Sequence, residues 1–364
     1  MAKLKELYKQ GQSVWLDYIH RDMFQSGELK KLLKDGVRGI TSNPAIFNKA
    51  IVGSETYDPA IKELVLKGKS TQEIYDNLVI SDILEACDEL AALYKSSGGE
   101  DGFVSLEVSP NLAHDTEGTI ADARRYHAAV NRDNLMIKVP ATEEGFAALS
   151  ELIAAGININ STLIFSNEAY RSVALAYISG LEKRAAQGLE NSTIASVASY
   201  FVSRVDNLVD LQLEEKNNES LLGKISIANC KVAYEIYQQV FSGERWEKLA
   251  QKGAKPQRLL WGSTGTKNPA YSDVMYVDEL IGNGTVNTVP PATLKAFMDH
   301  GVVSETVTKD VDLAKKDLQE LAELGINLED ITDHLLKDGI VLFQAAFDEL
   351  MNSIDEKKNT FRKI

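Results

Sequence analysis

The sequence predicts an α/β protein folded as a (β/α)8 TIM barrel with additional C-terminal helices, and three observations lead to that fold class. Eight short apolar segments typical of strands alternate with longer segments whose apolar residues recur every three or four positions. Such alternation indicates parallel strands joined by helical crossovers, and eight units in about 300 residues are usual for this barrel. No glycine-rich dinucleotide motif follows the first strand, and the segment 262–267 (GSTGTK) does not match a phosphate-binding loop, which argues against an open nucleotide-binding sheet.

The predicted strands are short runs rich in Val, Ile, Leu and Phe, and glycine, acidic or amide residues punctuate most of the joins between strand and helix. In chain order they are 13–17, 36–43, 103–109, 134–141, 157–165, 192–201, 258–264 and 285–290. Together with their crossovers they place the barrel at about residues 13–301.

The clearest predicted helix covers 70–94, because its apolar residues follow the period of an amphipathic helix. It also begins with Ser70 and Glu73, the residue types and spacing of a capping box.

Strand signals stop after about residue 303, and the segments 306–324 and 331–354 predict two further helices. No linker rich in Pro, Gly or Ser precedes them, so we predict a single domain over 1–364 with the C-terminal helices, 303–364, packed on the barrel. Their Leu and Phe faces would fit this packing and a homodimer contact equally well.

Charge and composition exclude several classes of protein. Lys and Arg number 39 against 53 Asp and Glu, a net charge of −14 that repels nucleic acid and anionic membranes, although a local basic cluster can still bind a small phosphorylated substrate. Two cysteines are too few for a disulfide framework, and the five histidines show no metal-ligand spacing. No apolar stretch has the length of a membrane span or a secretory signal. We therefore expect a cytoplasmic protein without a metal.

Polar side chains recur on one face of the predicted strands, where a barrel wall would otherwise be apolar. In the segment 135–140 Lys138 lies opposite Leu, Ile and Val, and Glu107, Asp17, Asn160 and Thr162 hold comparable positions in other strands. All five lie near the C-terminal ends of their strands, where barrel active sites are built. We therefore expect them to converge in one cavity.

Lys138 has two interpretations. It is either a buried ion-pair partner of Glu107 or Asp17, or an amine nucleophile toward carbonyl compounds, with the carboxylates moving the protons of imine formation and hydrolysis. Burying a charge is costly unless the charge is paired or used, and a lone lysine in mid-strand is uncommon, so the nucleophile is favoured. For Asn160 and Thr162, hydrogen bonding inside the barrel is an equally good explanation.

The chain resembles transaldolases, in particular the longer bacterial type with extra C-terminal helices. The resemblance covers about 13–301 and lies in eight motifs, each at a predicted strand end. They are VWLDYIHRDMFQSG (14–27), GITSNPAIF (39–47), SLEVSP (105–110), LMIKVPAT (135–142), GININSTLIFS (156–166), VASYFVSRVD (197–206), GSTGTKNPAYSDVMYVDELIG (262–282) and TVNTVPPATLKAFMDHG (285–301).

The resemblance implies a role for each polar strand residue. Lys138 corresponds to the lysine that forms a Schiff base, Asp17 to the general acid/base, and Glu107 to the glutamate that moves protons through a bound water. Thr162 corresponds to the threonine that holds this water, and Asn160 to an asparagine that contacts substrate hydroxyls.

Further residues are implied to bind the substrate. Thr41 and Asn43 correspond to residues of the substrate channel, and Ser199 and Arg204 to the phosphate-binding pair. The second phosphate-binding arginine of shorter transaldolases is replaced here by Lys267, which supplies charge without a planar fork.

The implied reaction transfers a dihydroxyacetone unit between sugar phosphates through an imine on Lys138, with no metal or organic cofactor. An aldolase of the same fold, which releases free dihydroxyacetone, is the nearest alternative. Those relatives are shorter and carry Tyr where this chain has Phe201, so length and Phe201 both favour transfer. A non-catalytic sugar-phosphate sensor is a second alternative, but it would be expected to lack Lys138, Asp17 or Glu107.

Overall fold

A computed structural model describes residues 2–362, in which eight parallel strands form a closed barrel. The strands follow one another around the barrel in chain order, and the last strand closes it by pairing with the first from Gln12↔Thr285 to Leu16↔Val289. The predicted fold class is confirmed. Most of the apolar core lies between the outer face of the strands and the surrounding helices.

All eight predicted strands are present, each within its predicted range or extended by one residue. They are β1 (Gln12–Leu16), β2 (Gly39–Thr41), β3 (Phe103–Glu107), β4 (Leu135–Pro140), β5 (Ile159–Ile164), β6 (Ser196–Phe201), β7 (Arg258–Gly262) and β8 (Thr285–Val289).

The helices form an outer ring and a C-terminal pair. They are α1 (Ala2–Lys9), α2 (Arg21–Gln25), α3 (Glu28–Asp35), α4 (Pro44–Val52), α5 (Asp58–Leu66), α6 (Thr71–Ser96), α7 (Thr116–Val130), α8 (Glu143–Ala154), α9 (Asn167–Ala186), α10 (Ser203–Glu215), α11 (Ile225–Val240), α12 (Gly243–Ala250), α13 (Met275–Asp278), α14 (Pro291–His300), α15 (Val311–Glu323) and α16 (Leu328–Phe361), with a short 3-10 helix at Pro110–Leu112. The capping box predicted before α6 is present. Within 2–362 no helix is both long and apolar enough to cross a membrane.

Strand β2 is much shorter than predicted because its flanks belong to helix ends. Gly36 follows α3 with a φ of 120°, a conformation that favours glycine. Asn43 caps α4 by accepting a hydrogen bond from the Ile46 amide. As a result β1 and β2 share one register pair, Leu16↔Ile40, and this joint is the shortest in the barrel.

The inside of the barrel is layered. An apolar layer in its N-terminal half consists of Trp15, Phe103, Met136, Val197, Leu260 and Val286. Asp17 and Lys138 each follow a member of this layer by two positions, and therefore face inward nearer the C-terminal ends of the strands.

A buried carboxylate closes the N-terminal end of the barrel. Asp101, just before β3, accepts hydrogen bonds from Ser13 (2.9 Å), Trp15 (3.2 Å), Arg38 (2.6 Å) and Arg258 (3.0 Å). Burial alone would raise the pKa of Asp101, but Arg258 and Arg38 hold it below its ordinary value. This network connects β1, β3 and β7 at the end opposite the polar residues.

The side chains of β5 do not alternate regularly between the two faces of the barrel wall up to the end of the strand. Its register against β6 shifts between Ser161 and Ile164, and Leu163 has a φ of 60°. Leu163 and Phe165 consequently pack with Phe201, in a cluster that includes residues of the C-terminal helices. With regular alternation, the side chains of Leu163 and Phe165 would instead point outward, toward the ring of helices.

The C-terminal helices predicted at 306–324 and 331–354 correspond to α15 and α16. Helix α16 packs along α4, α5, α6 and α10 and lies across the C-terminal mouth of the barrel. Its Ile340 and Phe343 belong to the cluster around Phe201, and Phe347 packs edge-on against Tyr75 of α6.

Candidate active site

Lys138 lies at the centre of the barrel mouth. Its neighbours in register are Glu107 on β3 and Asn160 on β5. The Nζ of Lys138 donates to the Ser42 carbonyl oxygen at 3.2 Å and lies 3.5 Å from Glu107 Oε2. The side chains of Lys138 and Glu107 are only 4% and 2% exposed, so the amine is held away from bulk water.

Two buried carboxyl groups accompany the amine. Burial raises the pKa of Glu107 to about 7, even though Lys138 pulls it down. Burial also raises the pKa of Asp17, against the lowering effects of Lys138 and of a hydrogen bond from Thr41 (2.7 Å). A carboxyl that titrates near neutrality can both give and take a proton at that pH.

Three buried oxygens near the amine have no hydrogen-bond partner among the described residues. They are both carboxyl oxygens of Glu107 and the hydroxyl of Thr162. Buried polar groups are normally satisfied, so these oxygens mark a place where a small polar molecule can bind.

Asn160 and Ser199 are fixed to one another. Asn160 donates to the Ser105 hydroxyl at 3.0 Å and accepts from the Ser199 hydroxyl at 2.6 Å. Because the Ser199 hydroxyl donates its only proton in this bond, it can accept a hydrogen bond from a molecule in the cavity but cannot donate one.

Thr41 and Asn43 lie at the end of β2. Besides its bond to Asp17, Thr41 is hydrogen-bonded to Thr288 at 2.6 Å. Asn43 uses its oxygen to cap α4. The amide nitrogen of Asn43 takes no part in this cap and can donate to a ligand in the cavity.

A cavity of about 110 Å³ joins most of these groups. Of the predicted residues, its wall contains Asp17, Thr41, Asn43, Lys138, Ser199, Phe201 and Arg204. Glu107, Asn160 and Thr162 are buried in the strands beside it, and Lys267 lies outside its wall.

Two cations lie at one end of the site. Arg204 packs against Phe201, 5.3 Å from the ring centre, and burial lowers its pKa. Burial also lowers the pKa of Lys267, and the proximity of Arg204 lowers it further. Within 2–362 neither cation has a salt bridge to a carboxylate. This pair can attract an anion even on an acidic protein.

Two tyrosine–aspartate hydrogen bonds bring these cations together. Tyr271 and Tyr276 follow Lys267 in the chain, and their hydroxyls donate to Asp210 (2.7 Å) and Asp206 (2.8 Å) of α10. Helix α10 begins just before Arg204, so the loop and the helix are held at a fixed separation.

Sequence reasoning missed several residues of the site. Ser42 acts through its backbone carbonyl, for which no side-chain pattern exists. Thr288 lies on β8, in a segment whose polar positions were not assigned. Phe343 reaches the cavity from α16, and its helical period predicts burial without indicating what it covers. Ser105 did show a signal, because it shares the polar face of β3 with Glu107.

Fold and site together define a (β/α)8-barrel protein with a buried amine–carboxyl centre at the barrel mouth. The chain belongs to the transaldolase/fructose-6-phosphate aldolase family, whose model matches residues 14–354. It is 48% identical to a transaldolase of Trichodesmium erythraeum and to transaldolase 2 of Nostoc punctiforme, in both cases over 97% of each chain. It is 46% identical to a transaldolase of Neisseria gonorrhoeae, over 96% of this chain and 99% of the relative. The resemblance seen in the motifs is confirmed.

Proposed function

We propose that the protein is a transaldolase of the pentose phosphate pathway, acting in the cytoplasm. It transfers a dihydroxyacetone unit from sedoheptulose 7-phosphate to glyceraldehyde 3-phosphate, giving erythrose 4-phosphate and fructose 6-phosphate. The observation that carries the proposal is a buried lysine amine, 3.5 Å from Glu107 and close to Asp17, in a chain 48% identical to transaldolases over nearly its whole length.

The reaction begins with attack of the Lys138 amine on the substrate ketone. Glu107, whose pKa is about 7, takes and returns protons through a water molecule that it holds together with Thr162. Loss of water then leaves the imine. The imine is the electron sink of the next step, so the mechanism requires no metal or organic cofactor.

Carbon–carbon cleavage follows at Asp17. Its carboxylate removes the proton of the C4 hydroxyl, the C3–C4 bond breaks, and the electron pair moves into the imine to form an enamine. Thr41 donates to Asp17 and is itself bonded to Thr288, so the carboxylate is oriented before the substrate arrives. The three-carbon unit stays on Lys138 until an aldehyde accepts it.

The amide and hydroxyl groups of the cavity bind the sugar hydroxyls. Asn43, in the cavity wall, supplies one amide. Asn160, buried in β5 beside the cavity, supplies the other through the amide hydrogen that it does not donate to Ser105. We assign Ser199 to this set and not to the phosphate, because its proton is already donated to Asn160 and a phosphate oxygen requires a donor.

Arg204 and Lys267 bind the phosphate in this proposal, and replacing Arg204 with alanine tests it. A hydrogen bond to a charged group contributes about 1.5–3 kcal/mol, so Arg204→Ala should raise KM for fructose 6-phosphate by about tenfold or more. Fructose, which has no phosphate, should be far less affected. Arg245, which is half-exposed and paired with Glu182, provides a control as Arg245→Ala. Equal losses with both substrates would make Arg204 a structural residue.

Product analysis tests the proposed function itself. Phe201 has no hydroxyl that could deliver a proton to the enamine, so with fructose 6-phosphate alone the protein should release dihydroxyacetone only slowly. Addition of erythrose 4-phosphate should produce sedoheptulose 7-phosphate rapidly. Release as fast as transfer would identify an aldolase instead.

A further inference from the structure

We infer that Phe343 of α16 determines whether the three-carbon unit on Lys138 is transferred or released, because its ring keeps bulk water from the enamine. The inference rests on the proposed function and assigns a role to the C-terminal helix.

Phe343 is part of the cavity wall and faces the reacting amine. The centre of its ring lies 5.9 Å from Lys138 Nζ, and the residue is buried. On its other side it packs in the apolar cluster that contains Phe201 and Phe165. The cover above the amine is therefore an aromatic ring, which neither donates nor accepts a proton.

The position of Phe343 is fixed by a close approach of α16 to the barrel mouth. Gly339, one turn earlier, faces the mouth, and a Cβ there would come within 3.0 Å of Leu163 Cδ2 and 3.8 Å of Arg204 Nη1. Glycine inside a helix costs about 1 kcal/mol relative to alanine. Here it allows the helix to lie against the residues that flank the cavity.

The C-terminal half of α16 is held by polar contacts as well. The Nζ of Lys357 donates to the carbonyl oxygen of Ile51 in the last turn of α4 (3.3 Å) and to that of Ser54 in the loop before α5 (3.2 Å). Contacts on both sides of Phe343 therefore keep its ring over Lys138.

The volume of the cavity agrees with a role for Phe343 in covering a bound three-carbon unit. Its volume of about 110 Å³ is below the roughly 300–1,000 Å³ of pockets that enclose whole ligands. With α16 in this position the space suits the three-carbon unit. Entry of a complete sugar phosphate then requires a small displacement of the wall.

Protonation of carbon is the step that separates the two outcomes. In transfer, the enamine carbon attacks the aldehyde of the acceptor, and the new imine is hydrolysed. In release, the same carbon takes a proton, water adds to the imine carbon, and the C–N bond breaks to give dihydroxyacetone and the free Lys138 amine. Imine hydrolysis is common to both routes, so access of a proton donor to the enamine carbon decides between them.

The test compares Phe343→Ala with Phe347→Ala. Phe347 lies one turn further along α16, is equally buried and packs on Tyr75, outside the cavity. For each purified variant we would measure dihydroxyacetone release from fructose 6-phosphate and transfer to erythrose 4-phosphate. The ratio of release to transfer should rise about tenfold in Phe343→Ala, corresponding to about 1.4 kcal/mol in relative barrier height, and stay unchanged in Phe347→Ala.

Every other outcome has a defined meaning. An unchanged ratio in Phe343→Ala, or an equal rise in both variants, would overturn the inference. If Phe343→Ala does not fold, Phe343→Leu takes its place, and a ratio there equal to that of the wild type would overturn it too. Borohydride trapping of the imine is run in parallel. Absence of trapping in the wild type would refute the proposed function, whereas normal trapping with an unchanged ratio would refute only the role of Phe343.

Discussion

Replacing Lys138 with arginine is expected to lower kcat for transfer by about a thousandfold or more, because a guanidinium keeps the positive charge but cannot act as an amine nucleophile. The charge balance with Glu107 and Asp17 is preserved, so the loss should occur in a folded protein. Circular dichroism and steady-state kinetics would measure the two effects separately.

Borohydride reduction in the presence of fructose 6-phosphate gives the same prediction a covalent readout. In the wild type the label should lie on the peptide that contains Lys138, and Lys138→Arg should not be labelled. Lys231 of α11 is also buried, and its Nζ donates to the carbonyl oxygen of Lys309, just before α15. Lys231→Arg is therefore the matched control and should keep labelling and turnover. Label on any other lysine would contradict the assignment.

Replacing Asp101 with asparagine is expected to lower the free energy of unfolding by about 3–5 kcal/mol, because it leaves Arg38 and Arg258 close together without their shared carboxylate. Denaturant unfolding would measure the loss. The exposed pair of Asp88 and Arg132 offers a control, since Asp88→Asn should change stability little. Below the unfolding transition kcat should be unchanged, because Asp101 lies at the opposite end of the barrel from Lys138.

The same carboxylate predicts an acid limit on stability. The pKa of Asp101 is lower in the folded protein than the value of about 3.9 usual for an unfolded chain. Its contribution is therefore fully present above that value and is lost as the pH falls through the folded pKa. On acidification from about pH 5 to about pH 2, the free energy of unfolding of Asp101→Asn should fall less than that of the wild type. An equal loss in both proteins would assign the acid sensitivity to other groups.

Much of the fold could be predicted because strand and helix leave different local patterns. The apolar segments of β3, β4 and β7 are bounded by turn residues, and Ser70 with Glu73 marks the start of α6. The ends of β2 could not be predicted, because a short apolar run does not show where a helix cap such as Asn43 begins. The irregular register near Leu163 depends on packing against α16, which is distant in sequence.

The site was predictable where its chemistry lies in charged side chains. Lys138, Glu107 and Asp17 are conspicuous because charge is expensive on an inward strand face. The backbone carbonyl of Ser42 and the ring of Phe343 carry no comparable signal, since one has no side-chain identity and the other is an ordinary apolar residue of a helix. Such contributions depend on tertiary placement, which local sequence does not encode.

The single register pair between β1 and β2 has a consequence for motion. Local opening of a barrel is easiest where the fewest ladder hydrogen bonds must break, and that place is the joint at Leu16↔Ile40. Asp17 and Thr41 extend directly from this joint, and the side-chain bonds of Thr41 to Asp17 and Thr288 hold it together. The part of the barrel wall with the fewest register pairs therefore lies directly beside the carboxyl group of Asp17.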